Sequence, residues 1–514
     1  MSLPGANRGV LDGVLDGALT GWRPVLAAGV LAALAVFVVW GSLSPVPVMH
    51  DEWAYWLQAD QYAHLHWKVA SPPAPEFFEQ LYVLVTPVFA AKYPPGYALM
   101  VAPGFALGIP ALMPLLIAGA TGALVFALAR RVAGNLAGAL TWVLWLGTFG
   151  NLRFRAAYFS ETTTSLCWLA AWWALLEWRS TRRTRWMVVL ALSIGWGAIT
   201  RPATMFVFAI PVGVVVLRDV VATKRWRQLV IGVAAGTLVL GILPLWSAGT
   251  TGSWRTTPLA IYTRQYLPFD VPGYTVDDTP PQRELPREME RVRSFLHDVK
   301  RDQVVTPVGV TAFIRALHLL RDVFGAWRLP FLFALVFGFR RVGASGWFAL
   351  GTSGLLIVAY LSQAHSSDWL VYYLEVTPVF AFTAAVGMAR LLGGVRSSAV
   401  PSWVGLAAGL GLMGLLVTDV AVARGRMSRM SAGIRLFREE VAQLPKKPNV
   451  VFVRYAPGRY MNIALVENRG MLQGAESWIV HDRGADNLRL YAAAAGRTAY
   501  LFDEVTGRFY EARP

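Results

Sequence analysis

One cysteine, Cys167, is all that the 514 residues contain, and it sits inside an apolar stretch, so no disulfide framework holds this chain together. Charge is scarce too. Asp, Glu, Lys and Arg make up 15% of the residues against 55% hydrophobic ones, a balance that excludes an ordinary soluble domain. No glycine-rich phosphate loop, nucleophile elbow or paired-cysteine motif is present, which leaves the chain without the familiar signatures of nucleotide binding, serine-type hydrolysis and thiol redox chemistry. No internal repeat and no low-complexity tract is evident.

What the chain has in abundance is long apolar runs. Mean hydropathy is +0.45, with 21 Trp, and segments of about 20 apolar residues, the length needed to cross a bilayer, recur as far as residue 423. They are continuous rather than alternating, so they predict helices and not barrel strands. The expected architecture is an all-α polytopic membrane protein of about 11 transmembrane helices, near 24–44, 110–129, 135–151, 160–178, 186–200, 203–218, 228–247, 324–339, 346–361, 370–390 and 401–423. The first run is followed by Pro45-Val46-Pro47 without a small-residue cleavage site and reads as an uncleaved helix.

The net charge of +16 does not point to nucleic acid. Arg130-Arg131, Arg179, Arg182, Arg183, Arg185, Arg218, Lys224, Arg225, Arg227, Arg340-Arg341, Arg390 and Arg396 all fall in short gaps between apolar runs, the positive-inside pattern. With an odd number of crossings, the N-terminus is expected inside and everything after Arg424 outside. The chain thus divides into a transmembrane part, 1–423, and a tail, 424–514. Strands near 449–455 and 498–502 and helices near 430–444 and 484–495 predict a small α/β extracytoplasmic domain there. Two outer loops stand out. The first, 45–109, carries an amphipathic stretch at 54–67, expected to lie on the membrane surface, and a proline-interrupted apolar stretch at 98–109, expected to be re-entrant or interfacial. The second, 248–323, mixes charges of both signs with many prolines.

The most informative residues are His50-Asp51-Glu52, two carboxylates where the first span leaves the membrane. Ionisable groups are costly in lipid, so this position implies a wet site at the boundary, although an Asp there is also a good helix cap. Further along stand Lys92-Tyr93-Pro94-Pro95-Gly96, then Arg153 and Arg155, which break the positive-inside pattern, Glu161 opening the fourth helix, Arg201 in Thr200-Arg201-Pro202, and His365, Asp368, Tyr372 and Tyr373 between the ninth and tenth helices. His50, His64 and His66 match no strong metal-ligand spacing. No metal site is assigned, and a divalent cation stays open as a cofactor.

This layout resembles the GT-C class of glycosyltransferases, which includes protein O-mannosyltransferases, the lipid A aminoarabinose transferase and RgtA/B/C/D-like bacterial proteins. The likeness is carried by Asp51-Glu52-Trp53-Ala54-Tyr55-Trp56-Leu57-Gln58-Ala59-Asp60, by Lys92 to Gly96 and by a tail beginning Val451-Phe452-Val453-Arg454-Tyr455, and so covers nearly the whole chain. It implies a bacterial plasma-membrane enzyme that moves a sugar from a polyprenyl-phosphate donor to a glycan, lipid or protein acceptor on the outer face. Asp51 matches the family's first-loop acid and is the candidate general base, with Glu52 and Glu161 as supporting acids. Lys92 with Tyr93, Arg201, Arg153 and Arg155, and His365 with Tyr372 and Tyr373, are the candidate substrate-binding residues, the cations for the donor phosphate. Tyr372-Tyr373 replaces the Arg-Tyr of many relatives, which puts that donor contact in doubt. The rival reading is a lipid or solute transporter, but transporters place ionisable groups near the midplane and often show inverted repeats. A noncatalytic scaffold that binds partners through its tail is a second rival.

Overall fold

In the computed structural model, residues 19–147, 149–324, 329–395, 402–461, 463–494 and 496–512 are described. Among the described residues, five helices are long and apolar enough to cross a membrane: α1 (Arg23–Trp40), α4 (Leu112–Ala133), α9 (Pro202–Thr223), α10 (Trp226–Leu240) continued by α11 (Ile242–Thr251), and α16 (Gly343–Tyr360). Shorter apolar helices pack among them: α3 (Gly96–Ala106), α5 (Asn135–Leu146), α8 (Thr184–Thr200) and α17 (Thr377–Val395). The surface of α9 shows what solvates this bundle. Phe206, Ile210, Val214, Leu217 and Val221 form an exposed stripe at helical spacing, while Met205, Phe208, Val212, Val216 and Val220 are buried on the opposite face. A helix apolar all round, with one face outward, is solvated by lipid. The chain is a multi-pass membrane protein.

Small residues let two spanning helices cross closely. A Cβ added to Gly29 of α1 would fall 2.9 Å from the carbonyl oxygen of Gly119, and one on Gly122 would fall 2.5 Å from Ala32 Cβ, so α1 and α4 touch backbone to backbone. Helix α7 (Ser160–Thr181) is different. It carries Thr162, Thr163, Thr164 and Ser165 and is too polar to meet lipid, yet all four are buried, as are Trp168 and Trp178, because neighbouring helices surround it.

The remaining described helices are α2 (His50–Ala63), α6 (Phe149–Arg155), α12 (Pro258–Tyr266), α13 (Arg287–Val305), α14 (Val308–Phe324), α15 (Leu329–Phe339), α18 (Ser402–Gln443) and α19 (Asn487–Ala493), of which α15 packs on α17. Three expectations change here. The amphipathic stretch of the first loop begins at His50 rather than at 54, and it is buried under protein rather than laid on a membrane surface: Trp53, Tyr55, Leu57, Ala59 and Tyr62 are all enclosed. The expected span 135–151 ends at Leu146, and α6 follows as a separate helix. Finally, α18 does not stop at 423 but runs 42 residues to Gln443, about 63 Å at 1.5 Å per residue, so one rod crosses from the bundle into the tail.

The tail is a four-stranded sheet, ordered β5-β4-β6-β7, of β4 (Asn449–Arg454), β5 (Ser477–His481), β6 (Thr498–Asp503) and β7 (Arg508–Glu511). β4 runs parallel to both β5 and β6, and β7 is antiparallel to β6. Parallel strands buried on both faces carry continuous apolar runs, and the two faces have different partners. Val450, Phe452, Trp478 and Val480 pack on Phe77, Phe78, Val83 and Phe89 of the first outer loop, whereas Val451, Val453, Ile479 and Phe502 pack on Ile434, Phe437 and Val441 of α18. The tail sheet and the first loop therefore share one core.

Candidate active site

A short antiparallel sheet in the first loop, β1 (Val69–Ala70), β3 (Val88–Ala91) and β2 (Val83–Leu84), positions the lysine. Register pairs Val83 with Ala91, and the Lys92 backbone N–H donates to the Tyr82 carbonyl at 2.9 Å, so Lys92 and Tyr82 end up side by side. The Lys92 ammonium lies 4.3 Å from the Tyr82 ring centre, 5.0 Å from that of Tyr262 and 5.4 Å from that of Tyr93. Three aromatic faces thus cradle one buried cation. Asp270, from the second outer loop, faces it with Oδ2 at 3.7 Å from Nζ.

Asp51 stands on the first turn of α2, where an acid is favoured by the helix dipole. Tyr55, one turn on, shares its face. Both meet Tyr93: the Tyr93 hydroxyl donates to Asp51 Oδ1, and the Tyr55 ring stacks on Tyr93 with centres 4.3 Å apart. Burial pushes the Asp51 carboxyl up from its ordinary value, opposed by the Tyr93 hydrogen bond and the Lys92 charge. Asp51 nevertheless keeps partial access to solvent.

From Tyr55 a chain of hydrogen bonds leads inward. Its hydroxyl donates to Ser160 Oγ at 2.8 Å, and Ser160 Oγ donates to Glu161 Oε2 at 3.1 Å. Glu161 forms an ion pair with Arg201, whose Nη2 donates to the Tyr360 hydroxyl at 2.7 Å. Arg201 occupies the break between α8 and α9 because Pro202 disfavours helical geometry in the residue before it. The guanidinium lies 5.6 Å from the ring centres of both Tyr360 and Tyr372. Burial, then the charges of Asp270 and Asp51, push the Tyr372 phenol up.

The other sequence candidates take supporting places. Glu52 is fully engaged by backbone: Oε1 accepts from the N–H groups of Val48 (3.2 Å) and Met49 (3.0 Å), and Oε2 from that of Tyr158 (3.1 Å). It braces the start of α2. Arg155 is buried, donating to Asn151 Oδ1 at 2.8 Å and Ser165 Oγ at 3.3 Å with Trp145 beneath it, and Arg153 lies over Phe154. Neither touches Asp51 or Lys92 in the contacts described. His365 stacks on Tyr372 (4.4 Å) and bonds the Tyr373 hydroxyl (2.9 Å); burial and the neighbouring Arg315 pull it down to about 3, so it is a neutral ring that props the tyrosines. The three first-loop histidines do not converge, His50 opening α2 and His64 and His66 lying exposed beyond its end. Among the described residues no group of three or more His, Cys, Asp and Glu could hold a metal.

Three charged residues escaped the sequence reading, besides the tyrosines Tyr82, Tyr262 and Tyr360 described above. Asp270 is one. Arg315 is the second, donating to the carbonyls of Tyr360 (2.7 Å), Gln363 (3.1 Å) and His365 (3.3 Å) and so pinning the loop that carries Tyr372. Glu375 is the third, buried with neither carboxylate oxygen hydrogen-bonded, within reach of the Arg201, Glu161 and Arg155 charges and pushed up to about 7 by burial. A lone acid opening an apolar run was the signal available, the same one that marked Glu161.

No family model matches the chain, and no curated protein matches it in sequence. Solved structures do. The crystal structure of ArnT from Cupriavidus metallidurans bound to undecaprenyl phosphate is similar with a TM-score of 0.53 at 14% identity, over 94% of this chain and 93% of that one. The chain has the GT-C fold. The apo form of the same ArnT gives a TM-score of 0.47 at 15% identity over the same shares.

Proposed function

We propose that this protein is a membrane glycosyltransferase that moves a sugar from a polyprenyl-phosphate donor to an acceptor on the outer face of the membrane. The observation that carries the reading is the meeting of Asp51 and Lys92 around Tyr93, with Tyr55, stacked on Tyr93, joined to Arg201 through Ser160 and Glu161. A general base needs a carboxylate within reach of the attacking group, and a departing phosphate needs fixed cations. This recess supplies both, and the GT-C fold, seen in a protein bound to undecaprenyl phosphate, supports the donor class.

In the proposed reaction Asp51 takes the proton of the acceptor hydroxyl or amine as its oxygen or nitrogen attacks the anomeric carbon. The bond to the phosphate oxygen breaks on the opposite side, the electron pair stays on the phosphate, and a single displacement inverts the anomeric centre. Lys92 and Arg201 hold the phosphate. Glu161 fixes the Arg201 guanidinium, and Glu52 fixes the turn that carries Asp51. The arginine-rich ends of α4 and α7 face the cytoplasm in this reading, which places the N-terminus inside and the tail outside.

Purified protein supplied with radiolabelled polyprenyl-phosphate sugars and a membrane extract as acceptor tests this. A new glycosidic bond is expected. Movement of label across the vesicle membrane without a new bond would make the protein a transporter instead.

A further inference from the structure

Within the spanning helices lies a cavity of about 260 Å³, lined by apolar side chains that include Leu128, Leu169, Trp172, Val215, Ala349 and Phe382. Its exposed lining residues are Val132, Arg179, Ala344 and Ser345. Val132 and Arg179 lie in the last turns of α4 and α7, and Ala344 and Ser345 in the first turn of α16, so the cavity opens at one end of the bundle. Arg131, Arg179, Arg182 and Arg218 lie at that end, and Arg341 just precedes α16. Glu177 pairs with Arg131, and Asp219 is shared by Arg179 and Arg182 at 3.0 Å each and by Arg218 at 3.6 Å. Five arginines against two carboxylates leave positive charge in excess at the mouth.

Protein interiors pack as densely as organic crystals, and a void forfeits the dispersion contacts of every atom that lines it. An apolar cavity stays dry, and one of roughly 150 Å³ already binds a hydrocarbon. This one is larger and opens among lipid-facing helices. We propose that it binds an acyl chain of an anionic phospholipid from the leaflet beside the arginines, with the phosphate resting on Arg179 and Arg341. Hydrocarbon is the one abundant filler of matching polarity, and the excess charge at the mouth selects an anionic headgroup. The site is separate from the donor recess. Arg179 stands 18 residues along α7 from Glu161, about 27 Å down the helix axis, near the full thickness of a bilayer core. It therefore depends only on the membrane-spanning fold and not on the reaction proposed above.

The test uses the full-length protein, delipidated in detergent, with native mass spectrometry counting bound lipid. Palmitoyl-oleoyl phosphatidylglycerol is expected to bind at least tenfold more tightly than phosphatidylcholine with the same chains. Ala349→Phe fills the cavity and is expected to lower phosphatidylglycerol binding at least tenfold, while Tm without lipid stays level or rises. Val215→Phe, from α9, gives a second filled cavity should Ala349→Phe not fold. Arg341→Gln is expected to remove the preference between the two headgroups. Unchanged phosphatidylglycerol binding in the filled variants, or equal binding of both lipids by the wild type, would overturn the proposal. So would one-for-one displacement of phosphatidylglycerol by undecaprenyl phosphate, which would give the cavity to a polyprenyl chain. Loss of transfer activity in an Asp51 variant bears on neither result, so the two readings fail independently.

Discussion

Lys92 Nζ and Asp270 Oδ2 face each other across 3.7 Å, close enough to pair their charges and too far for a hydrogen bond. The ammonium is held by three tyrosine faces, so it does not depend on Asp270 for its place. An incoming phosphate must compete with that carboxylate. Asp270→Asn is therefore expected to tighten undecaprenyl phosphate binding, by roughly twofold to fivefold on the scale of partly exposed ion pairs, and Lys92→Met to weaken it at least tenfold. Calorimetric titration reads both, and weaker binding in Asp270→Asn would show that the acid orients the lysine instead.

The Glu161–Arg201 ion pair is nearly enclosed, its side chains 10% and 11% exposed. Removing one partner leaves an uncompensated charge, so Glu161→Leu or Arg201→Met alone is expected to cost about 3–5 kcal/mol of stability. The double variant should recover most of that loss and still bind no donor phosphate through position 201. Thermal unfolding together with donor binding separates the two contributions, and a double variant no more stable than either single one would contradict it.

Much of this site could be read from the sequence because its members sit where spans begin or end. Asp51, Glu161 and Arg201 are ionisable residues at helix ends in a chain that otherwise keeps charge out of its apolar runs, and Lys92 precedes a Tyr-Pro-Pro turn. What stayed hidden depends on long-range contact. Glu52 looked like a supporting acid because one of its partners, the Tyr158 N–H, lies 106 residues away. Asp270 and Arg315 belong to a loop region whose mixed charges gave no reason to prefer one residue over another. Strand Ser477–His481 was missed because both of its faces are buried, on the first loop and on α18, and no alternation betrays it. Helix α18 was cut at 423 because its composition changes from apolar to basic there, although nothing in 424–443 breaks a helix.

Glu52 makes stability depend on pH. Burial pushes its carboxyl up to about 7, while in the unfolded chain it titrates near its ordinary 4.5. Between those values the folded state holds the proton more tightly, so this contribution is full below pH 4.5 and is lost as pH rises to about 7. The size is about 3 kcal/mol as an upper bound. Glu52→Gln is expected to remove this slope from a plot of unfolding free energy against pH, and identical slopes in the two proteins would show a carboxylate that is already charged in the fold.

Gly470 joins the tail to α2. Its N–H donates to Asp60 Oδ2 at 2.9 Å, and a Cβ there would fall 2.6 Å from the Leu57 carbonyl oxygen. Gly470→Ala is expected to cost about 1–3 kcal/mol and to raise hydrogen exchange in α2 and β4 together, since the two share a core. Faster exchange confined to the mutated turn would argue that the tail is held elsewhere.

The central claim is that Asp51 takes the proton in sugar transfer. Burial holds its carboxyl above the ordinary value, so as a base it works on the alkaline side of that shifted titration, and transfer should rise with pH through it. The most direct measurement compares wild type and Asp51→Asn for transfer from a polyprenyl-phosphate sugar and for undecaprenyl phosphate binding in the same preparation. We expect transfer to fall by about 10²–10⁴-fold with donor binding retained, and the pH-dependent rise to disappear. Asp51→Asn that binds the donor and still transfers sugar at the wild-type rate would contradict the account.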